Sequence, residues 1–129
     1  MQIKLASVMV KDQEKALRFY VDVLGFGKKA DIPMGPFRWL TVSSPDGIDG
    51  VELLLEATAF PPSQTYQQAR YEAGIPATAF MTTDIQGEYA RLKGLGVEFK
   101  SAPQNMGPIS SAVFDDGCGN WINLVQPAG

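Results

Sequence analysis

The stretch that decides the fold is VKDQEKALRFYVDVLGF, residues 10–26. Its first residue ends a short apolar segment at residues 3–10, whose alternation predicts a β-strand. Asp12 is placed to cap a helix, because its carboxylate can accept hydrogen bonds from the free N–H groups of the first turn. Apolar side chains then recur at helical spacing, and Gly25 is placed to end the helix. The stretch therefore predicts a strand followed by an amphipathic helix.

The same order of signals begins again in the second half of the chain. A predicted strand at residues 77–82 precedes Asp84, a second helix follows, and Gly96 is placed to end it. Five landmarks repeat at an offset of 70–72 residues: the helix cap, the Leu-Gly helix end, the tripeptide MGP, an Asp-Gly turn and the last strand. Chance does not reproduce five landmarks at nearly one spacing, so the chain contains an internal repeat.

Each copy of the repeat predicts a strand, a helix and three further strands. The later strands are expected at residues 26–30, 37–42 and 51–55, and again at 97–100, 111–114 and 121–125, with a short helix at 66–73 between the copies. The predicted fold class is α+β. Two tandem βαβββ modules would form a curved eight-stranded mixed sheet with the helices on its convex face. The concave face would then be a natural ligand cleft.

Composition excludes several classes of function. The chain has no histidine, which rules out a Ser-His-Asp triad, a His-ligated zinc site and the two-His-one-carboxylate iron site. Its net charge is −3 and its basic residues are scattered, so a nucleic-acid partner is not expected. No apolar run is long enough to span a bilayer, and no membrane partner is expected. With a single cysteine, Cys118, and no signal-like N-terminus, the expected location is cytoplasmic.

The residues that open and close the chain resemble the vicinal oxygen chelate superfamily, which includes glyoxalase I, bleomycin-resistance proteins and extradiol dioxygenases. The matching segments are VKD at 10–12, ALRFY at 16–20, VLGF at 23–26 and DGCGNWINLV at 116–125. The resemblance implies one domain over residues 1–129, with module one at about 1–56, a connection at 57–74 and module two at about 75–127. Extradiol dioxygenase chemistry is not expected, because there is no histidine.

The resemblance also locates where family enzymes hold a divalent metal, on the first and last strands of each module. The corresponding residues here are Leu5, Glu52, Ala77 and Asn123. Leu and Ala side chains cannot bind a metal, and Asn offers only a neutral oxygen, so too few ligands remain for zinc, nickel or iron. We therefore expect no metal and no cofactor. Metal-free members such as bleomycin-resistance proteins use the same cleft to bind small molecules.

Strand alternation extends the set of candidate ligand-binding residues. Side chains two residues apart share a face, so the expected ligand-binding set is Leu5, Ser7, Trp39, Thr41, Glu52, Leu54, Ala77, Met81, Trp121 and Asn123. Simpler interpretations stay open for several of them. Trp39 and Trp121 could be core residues, and Glu52 could be a structural carboxylate. Cys118 has no His to activate it, so a nucleophilic role is not expected.

Three hypotheses follow for function. The first is a metal-free binding protein for a small, partly aromatic or cationic organic molecule. The second is a lyase or isomerase of the glyoxalase type, with either Glu52 as a general base or a non-standard metal site that includes Glu56 and Asn123. The third is that the cleft serves assembly, since the resemblance implies a homodimer. The sequence does not identify the ligand.

Overall fold

The computed structural model describes residues 1–128, which form two compact units that meet between residues 67 and 68 of the chain. The first unit contains β1 (Leu5–Val10), α1 (Gln13–Arg18) with a wider helical turn at Phe19–Val23, β2 (Gly27–Met34), β3 (Phe37–Ser43) and β4 (Glu52–Ala57). The next helix, α2 (Pro61–Glu72), begins in the first unit and ends in the second.

The first sheet has the strand order β1-β4-β3-β2. β1 runs parallel to β4, whereas β3 is antiparallel to both β4 and β2, so the sheet is mixed. One face packs against α1 and forms the core, where the buried side chains are Val8, Val10, Ala16, Tyr20, Leu40, Val42 and Leu55. On β1 and β4 these residues alternate with less buried ones, which is the period-two pattern that the sequence predicts, whereas on β3 the intervening Thr41 is buried as well.

The first helix begins and ends where the sequence predicts. The carboxylate of Asp12 accepts a 3.0 Å hydrogen bond from the backbone N–H of Lys15. At the other end, Leu24 N–H donates to the carbonyl of Phe19, five residues back. That widened turn leads into Gly25, whose φ of +90° is a conformation that glycine adopts without steric cost.

The second unit repeats this plan with β5 (Thr78–Met81), α3 (Ile85–Gly94), β6 (Gln104–Asn105), β7 (Ile109–Asp115) and β8 (Trp121–Pro127). Its strand order, β5-β8-β7-β6, matches that of the first sheet position by position. Asp84 caps α3 by accepting from Gly87 N–H at 3.0 Å. The core beneath α3 contains Ile85, Leu92, Val97, Ala112, Phe114, Ile122 and Leu124.

The two MGP tripeptides occupy equivalent turns. Gly35 lies between β2 and β3 with a φ of +62°, and Gly107 lies between β6 and β7 with a φ of +89°. In the second copy, Met106 N–H donates to the carbonyl of Ile109 at 2.8 Å and closes the turn. Both glycines have positive φ, which explains why this residue recurs at that point in each unit.

The predicted α+β class and the tandem βαβββ order are confirmed. The eight strands form two four-stranded sheets, where the sequence predicts one sheet of eight. The strand expected at residues 97–100 is reduced to a single bridge from Phe99 to Phe114, and Gln104–Asn105 pairs with β7 instead. The helix expected at 66–73 begins earlier, at Pro61, because proline suits a first helical turn that needs no N–H donor.

Within residues 1–128, no helix combines the length and the apolar character needed to cross a membrane.

Candidate functional site

The first sheet has one face that α1 does not cover, which we call the first open face. Backbone pairing aligns Leu5 with Glu52 and Ser7 with Leu54, and it aligns Leu54 with Thr41 on the neighbouring strand. Trp39 lies two residues from Thr41 and therefore points to the same side. The structure thus brings all six candidates from the first half of the chain together on one surface.

Much of this first open face is apolar and partly exposed. Five of its larger side chains are between 36% and 58% exposed, namely Leu5, Ile32, Met34, Phe37 and Trp39. Isolated exposed apolar residues are ordinary, but a contiguous apolar patch on a sheet face is typical of an interaction or ligand site. Trp39 has no aromatic or cationic partner among the described residues, so its ring is free to contact a ligand.

Glu52 is held in place by the hydroxyl of Thr41. Thr41 Oγ1 donates to Glu52 Oε1 at 2.6 Å, while it accepts a 3.1 Å hydrogen bond from the backbone N–H of Ala30. Because the backbone N–H can only donate, the hydroxyl proton is directed at the carboxylate. Thr41 is fully buried and Glu52 is half-buried. One carboxylate oxygen is therefore fixed, and the structure gives Oε2 no partner within residues 1–128.

The backbone hydrogen-bond ladder between β3 and β4 is short, and a side chain from α1 hydrogen-bonds the backbone groups beyond its end. Only Thr41–Leu54 and Val42–Leu53 are paired. Beyond them, Gln13 Nε2 donates to the carbonyls of Arg38 and Leu55 at 2.8 and 2.9 Å, and Gln13 Oε1 accepts from Arg38 N–H at 3.1 Å. The two strands thus separate at the end that carries Trp39 and Glu56, and the Gln13 amide satisfies their freed backbone groups.

The second sheet also has a face without α3, the second open face, and it carries the remaining candidates. Trp121 and Asn123 lie two residues apart on β8, Met81 lies on β5, and Ala77 immediately precedes β5, whose pairing with β8 is parallel. Ser111 Oγ donates to Asn123 Oδ1 at 2.5 Å. This bond is equivalent to the Thr41–Glu52 bond, because both hydroxyls are on the third strand and both acceptors are on the fourth.

The register of the first strand differs between the two units. Leu5 pairs with Glu52, but Asn123 pairs with Ala79 rather than with Ala77. Ala77 instead donates its backbone N–H to the carbonyl of Trp121 at 2.8 Å. The repeat offset measured at the helix caps therefore does not carry over to strand pairing. The first-strand residue beside Asn123 is still an alanine and cannot act as a ligand donor.

Trp121 is engaged within its own unit, unlike Trp39. Its ring stacks on Tyr71 of α2, with centroids 5.2 Å apart and planes 9° from parallel, and its indole N–H donates to the Tyr71 carbonyl at 3.1 Å. Lys100 Nζ lies 4.9 Å from the indole centroid. The Tyr71 hydroxyl donates to Asp115 at 2.5 Å, which, with burial, raises the pKa of Tyr71 to about 12. One ring face of Trp121 is therefore already occupied.

The donor set does not fit a metal ion of the kind the family enzymes hold. Within the described part of the chain, no three His, Cys, Asp or Glu side chains are grouped so that they could bind one. The single ligand oxygen of Asn123 accepts from Ser111, and one oxygen of Glu52 accepts from Thr41. The side chains of Leu5, Ala77 and Ala79 contain no atom that could bind a metal.

Sequence patterns left three contributing residues unassigned. Ser111 was detectable, because the Asp-Gly turns repeat at an offset of 70 and that spacing carries Thr41 onto Ser111. Gln13 and Tyr71 were not, because both act across tertiary contacts between a helix and a sheet. No local periodicity signals such contacts.

Known proteins resemble the chain over nearly its whole length. The family model for the Glyoxalase/Bleomycin resistance protein/Dioxygenase superfamily matches residues 2–124. The protein "Uncharacterized protein YurT" from Bacillus subtilis is 52% identical over 126 residues, covering 98% of this chain and 99% of its own. The crystal structure of UcmS2 superposes with a TM-score of 0.83 at 28% identity, covering 97% of each chain.

A second solved structure has a more informative description. TnmS3, "an antibiotic binding protein" from Streptomyces sp. CB03234, is 33% identical with a TM-score of 0.78, and the match covers 99% of this chain and 97% of TnmS3. The repeated βαβββ units, the open face of each unit and these matches agree with one another. The chain belongs to the Glyoxalase/Bleomycin resistance protein/Dioxygenase superfamily.

Proposed function

We propose that the protein binds a small, partly aromatic organic molecule on its open sheet faces without a metal. The observation that carries this proposal is the partly exposed apolar surface around Trp39, whose ring has no aromatic or cationic partner within residues 1–128. An indole on an exposed sheet face offers a planar surface on which an aromatic ligand can stack. The description of TnmS3 as antibiotic-binding supports a ligand of this class.

The polar groups on these faces would orient the ligand. On the first open face, Glu52 Oε2 is an acceptor, since Thr41 holds only Oε1. On the second, Ser111 occupies Asn123 Oδ1, which leaves the Nδ2 amide group to donate. Ligand sites of this kind combine an apolar surface with a few fixed polar groups, because the former provides affinity and the latter set orientation.

Isothermal titration against a panel of planar aromatic compounds tests the proposal. We expect at least one compound to bind, and we expect Trp39→Leu to weaken that binding by about tenfold, in line with the loss of one aromatic contact. Phe60→Leu is the matched control, because Phe60 is 66% exposed but lies outside both sheets. Absence of binding across the panel, or equal affinity in the Trp39 variant, would refute a ligand site at this face.

A second candidate function rests on Glu52 itself. A half-buried carboxylate with one fixed oxygen and one free oxygen has the arrangement of a general base, which would make the protein a lyase or isomerase of the glyoxalase type. Glu52→Gln keeps the shape and removes the basic oxygen. Once a reaction is found, turnover should fall by about a hundredfold or more in this variant, while an unchanged rate would exclude Glu52 as the base.

A further inference from the structure

We infer that the ligand of the first open face is cationic and that its positive group lies between the Glu56 carboxylate and the Trp39 ring. The inference rests on the proposed function, because it specifies the ligand class for the same face. It also gives a ligand-binding role to Glu56, which is outside the expected ligand-binding set.

The first step is the charge on the face. Among the described residues that strand pairing places there, the charged side chains are Glu52 and Glu56, and no Lys or Arg accompanies them. Neither carboxylate forms an ion pair within residues 1–128. Arg38 and Lys28 are paired to Asp31, which lies with Leu40 on the helix side of the sheet. Among the paired strand residues of this face, the charged side chains are thus both carboxylates.

The second step is the position of Glu56 relative to Trp39. Glu56 pairs with Met9 on β1, and Trp39 pairs with Ile32 on β2. Glu56 and Trp39 are the adjacent members of these two pairs, on the neighbouring strands β4 and β3, at the end where Gln13 replaces the ladder. Extending the Thr41–Leu54 register by two residues sets Trp39 opposite Glu56 across the gap, while Met9 is the β1 partner of Glu56.

The third step is the chemistry of that arrangement. The face of an indole ring attracts cations through its quadrupole, and a nearby carboxylate adds a Coulombic attraction of the same sign. Together they select an ammonium, a quaternary ammonium or an aromatic cation over neutral or anionic compounds of the same shape. An anion would meet two unneutralised carboxylates on this face, so repulsion adds to the discrimination.

The Gln13 amide makes the arrangement specific to this end of the sheet. Because Gln13 hydrogen-bonds the backbone of both separated strands, β3 and β4 are held apart without unpaired N–H or C=O groups at Arg38 and Leu55. At the other end of β4, Glu52 is already tied to Thr41. Glu56 has no such tie within the described residues, so its carboxylate is the one available to pair with a ligand cation.

Titration of three probes that share one ring system tests this inference. N-methylquinolinium is the cation, quinoline is the neutral analogue and quinoline-4-carboxylate is the anion. An exposed cation–π contact and an exposed ion pair each contribute about threefold, so the wild-type protein should bind the cation about tenfold more tightly than quinoline, and the anion more weakly still. Added salt should reduce the preference for the cation.

Variants then test which side chain causes the preference for the cation. Glu56→Gln should reduce it to about threefold, the part left to the indole, and Glu56→Lys should bind the carboxylate probe better than the cation. Glu98→Gln removes an exposed carboxylate from the second unit and should keep the full preference. Circular dichroism checks that each variant is folded.

The outcomes separate this inference from the proposed function. Equal binding of quinoline and N-methylquinolinium, or an undiminished cation preference in Glu56→Gln, would overturn the cationic assignment while leaving a ligand face intact. Failure of all three probes to bind would also overturn it, and the wider aromatic panel with the Trp39 variant would then decide the proposed function separately.

Discussion

Replacing Thr41 with valine should cost far more stability than its small change in shape suggests. Valine keeps the branched side chain but removes the hydroxyl that donates to Glu52 and accepts from Ala30 N–H. Loss of a hydrogen bond to a charged group costs about 1.5–3 kcal/mol, and the Ala30 N–H left without its acceptor adds about 1–3 kcal/mol, reduced wherever water reaches it. Because Thr41 is fully buried, we expect a total of about 3 kcal/mol.

Urea unfolding followed by circular dichroism measures this cost. With a slope of about 2 kcal/mol per molar urea, the midpoint should fall by about 1.5 M. Ser111→Ala is the comparison, since it removes the equivalent hydroxyl facing the neutral Asn123 and should cost only about 1 kcal/mol. Thr65→Val, which alters an exposed hydroxyl on α2, should change stability by about 0.5 kcal/mol or less.

The reasoning fails if Thr41→Val unfolds at the same urea concentration as the wild type or as the Thr65 control. It also fails if the Ser111 variant is the more damaging of the two, because the charged acceptor would then contribute nothing beyond a neutral one. A change of slope without a change of midpoint would indicate an altered unfolded state rather than a lost bond.

Three further predictions concern other parts of the molecule. The pKa of Asp31 is lowered to about 2 mainly by its hydrogen bond with Arg38, so the stability that it contributes is present above its ordinary pKa of 3.8 and is lost as the pH falls toward 2. The urea midpoint of Asp31→Asn should therefore lie below that of the wild type at neutral pH, and the two midpoints should converge in acid. A difference between the midpoints that does not change with pH would refute the ion-pair effect. Gly35→Ala should cost about 1 kcal/mol by thermal unfolding, because no atom lies within 4 Å of the added Cβ and only the φ of +62° opposes it; an unchanged melting temperature would contradict this. The homodimer implied by the family should appear in sedimentation equilibrium as twice the chain mass, and a monomer at all concentrations would exclude assembly as the role of the open faces.

The sequence predicted those features that depend on local patterns. Asp12 and Asp84 cap their helices as expected, because capping needs only a side-chain oxygen beside the first turn. Alternation placed Trp39 and Thr41 on the side away from α1, because the period of a strand is two and one face is buried. The prediction of a strand at residues 97–100 was wrong, because only Phe99 forms a β-bridge there.

Features that depend on docking between elements could not be predicted in this way. The parallel pairing of β5 with β8 is shifted relative to that of β1 with β4, so Ala79 rather than Ala77 lies beside Asn123. Helix caps and turns fix the spacing along the chain, but parallel strands are joined through a helix and several strands, which leaves their register to be set by packing. The same reason hides the contact of Gln13 with Leu55 from any sequence pattern.

The two tryptophans show how one fold can give equivalent-looking residues different roles. Both lie on strands and on the face away from the main helix of their unit, and both could be ligand contacts or core residues by sequence alone. Tyr71 packs on Trp121 and covers one side of its ring, with Asp115 holding the phenol in place. Trp39 has no aromatic partner within residues 1–128 and lies on β3 beyond the residues that pair with β4. Ligand recognition by stacking should therefore depend on Trp39, and substitution of Trp121 should act first on stability.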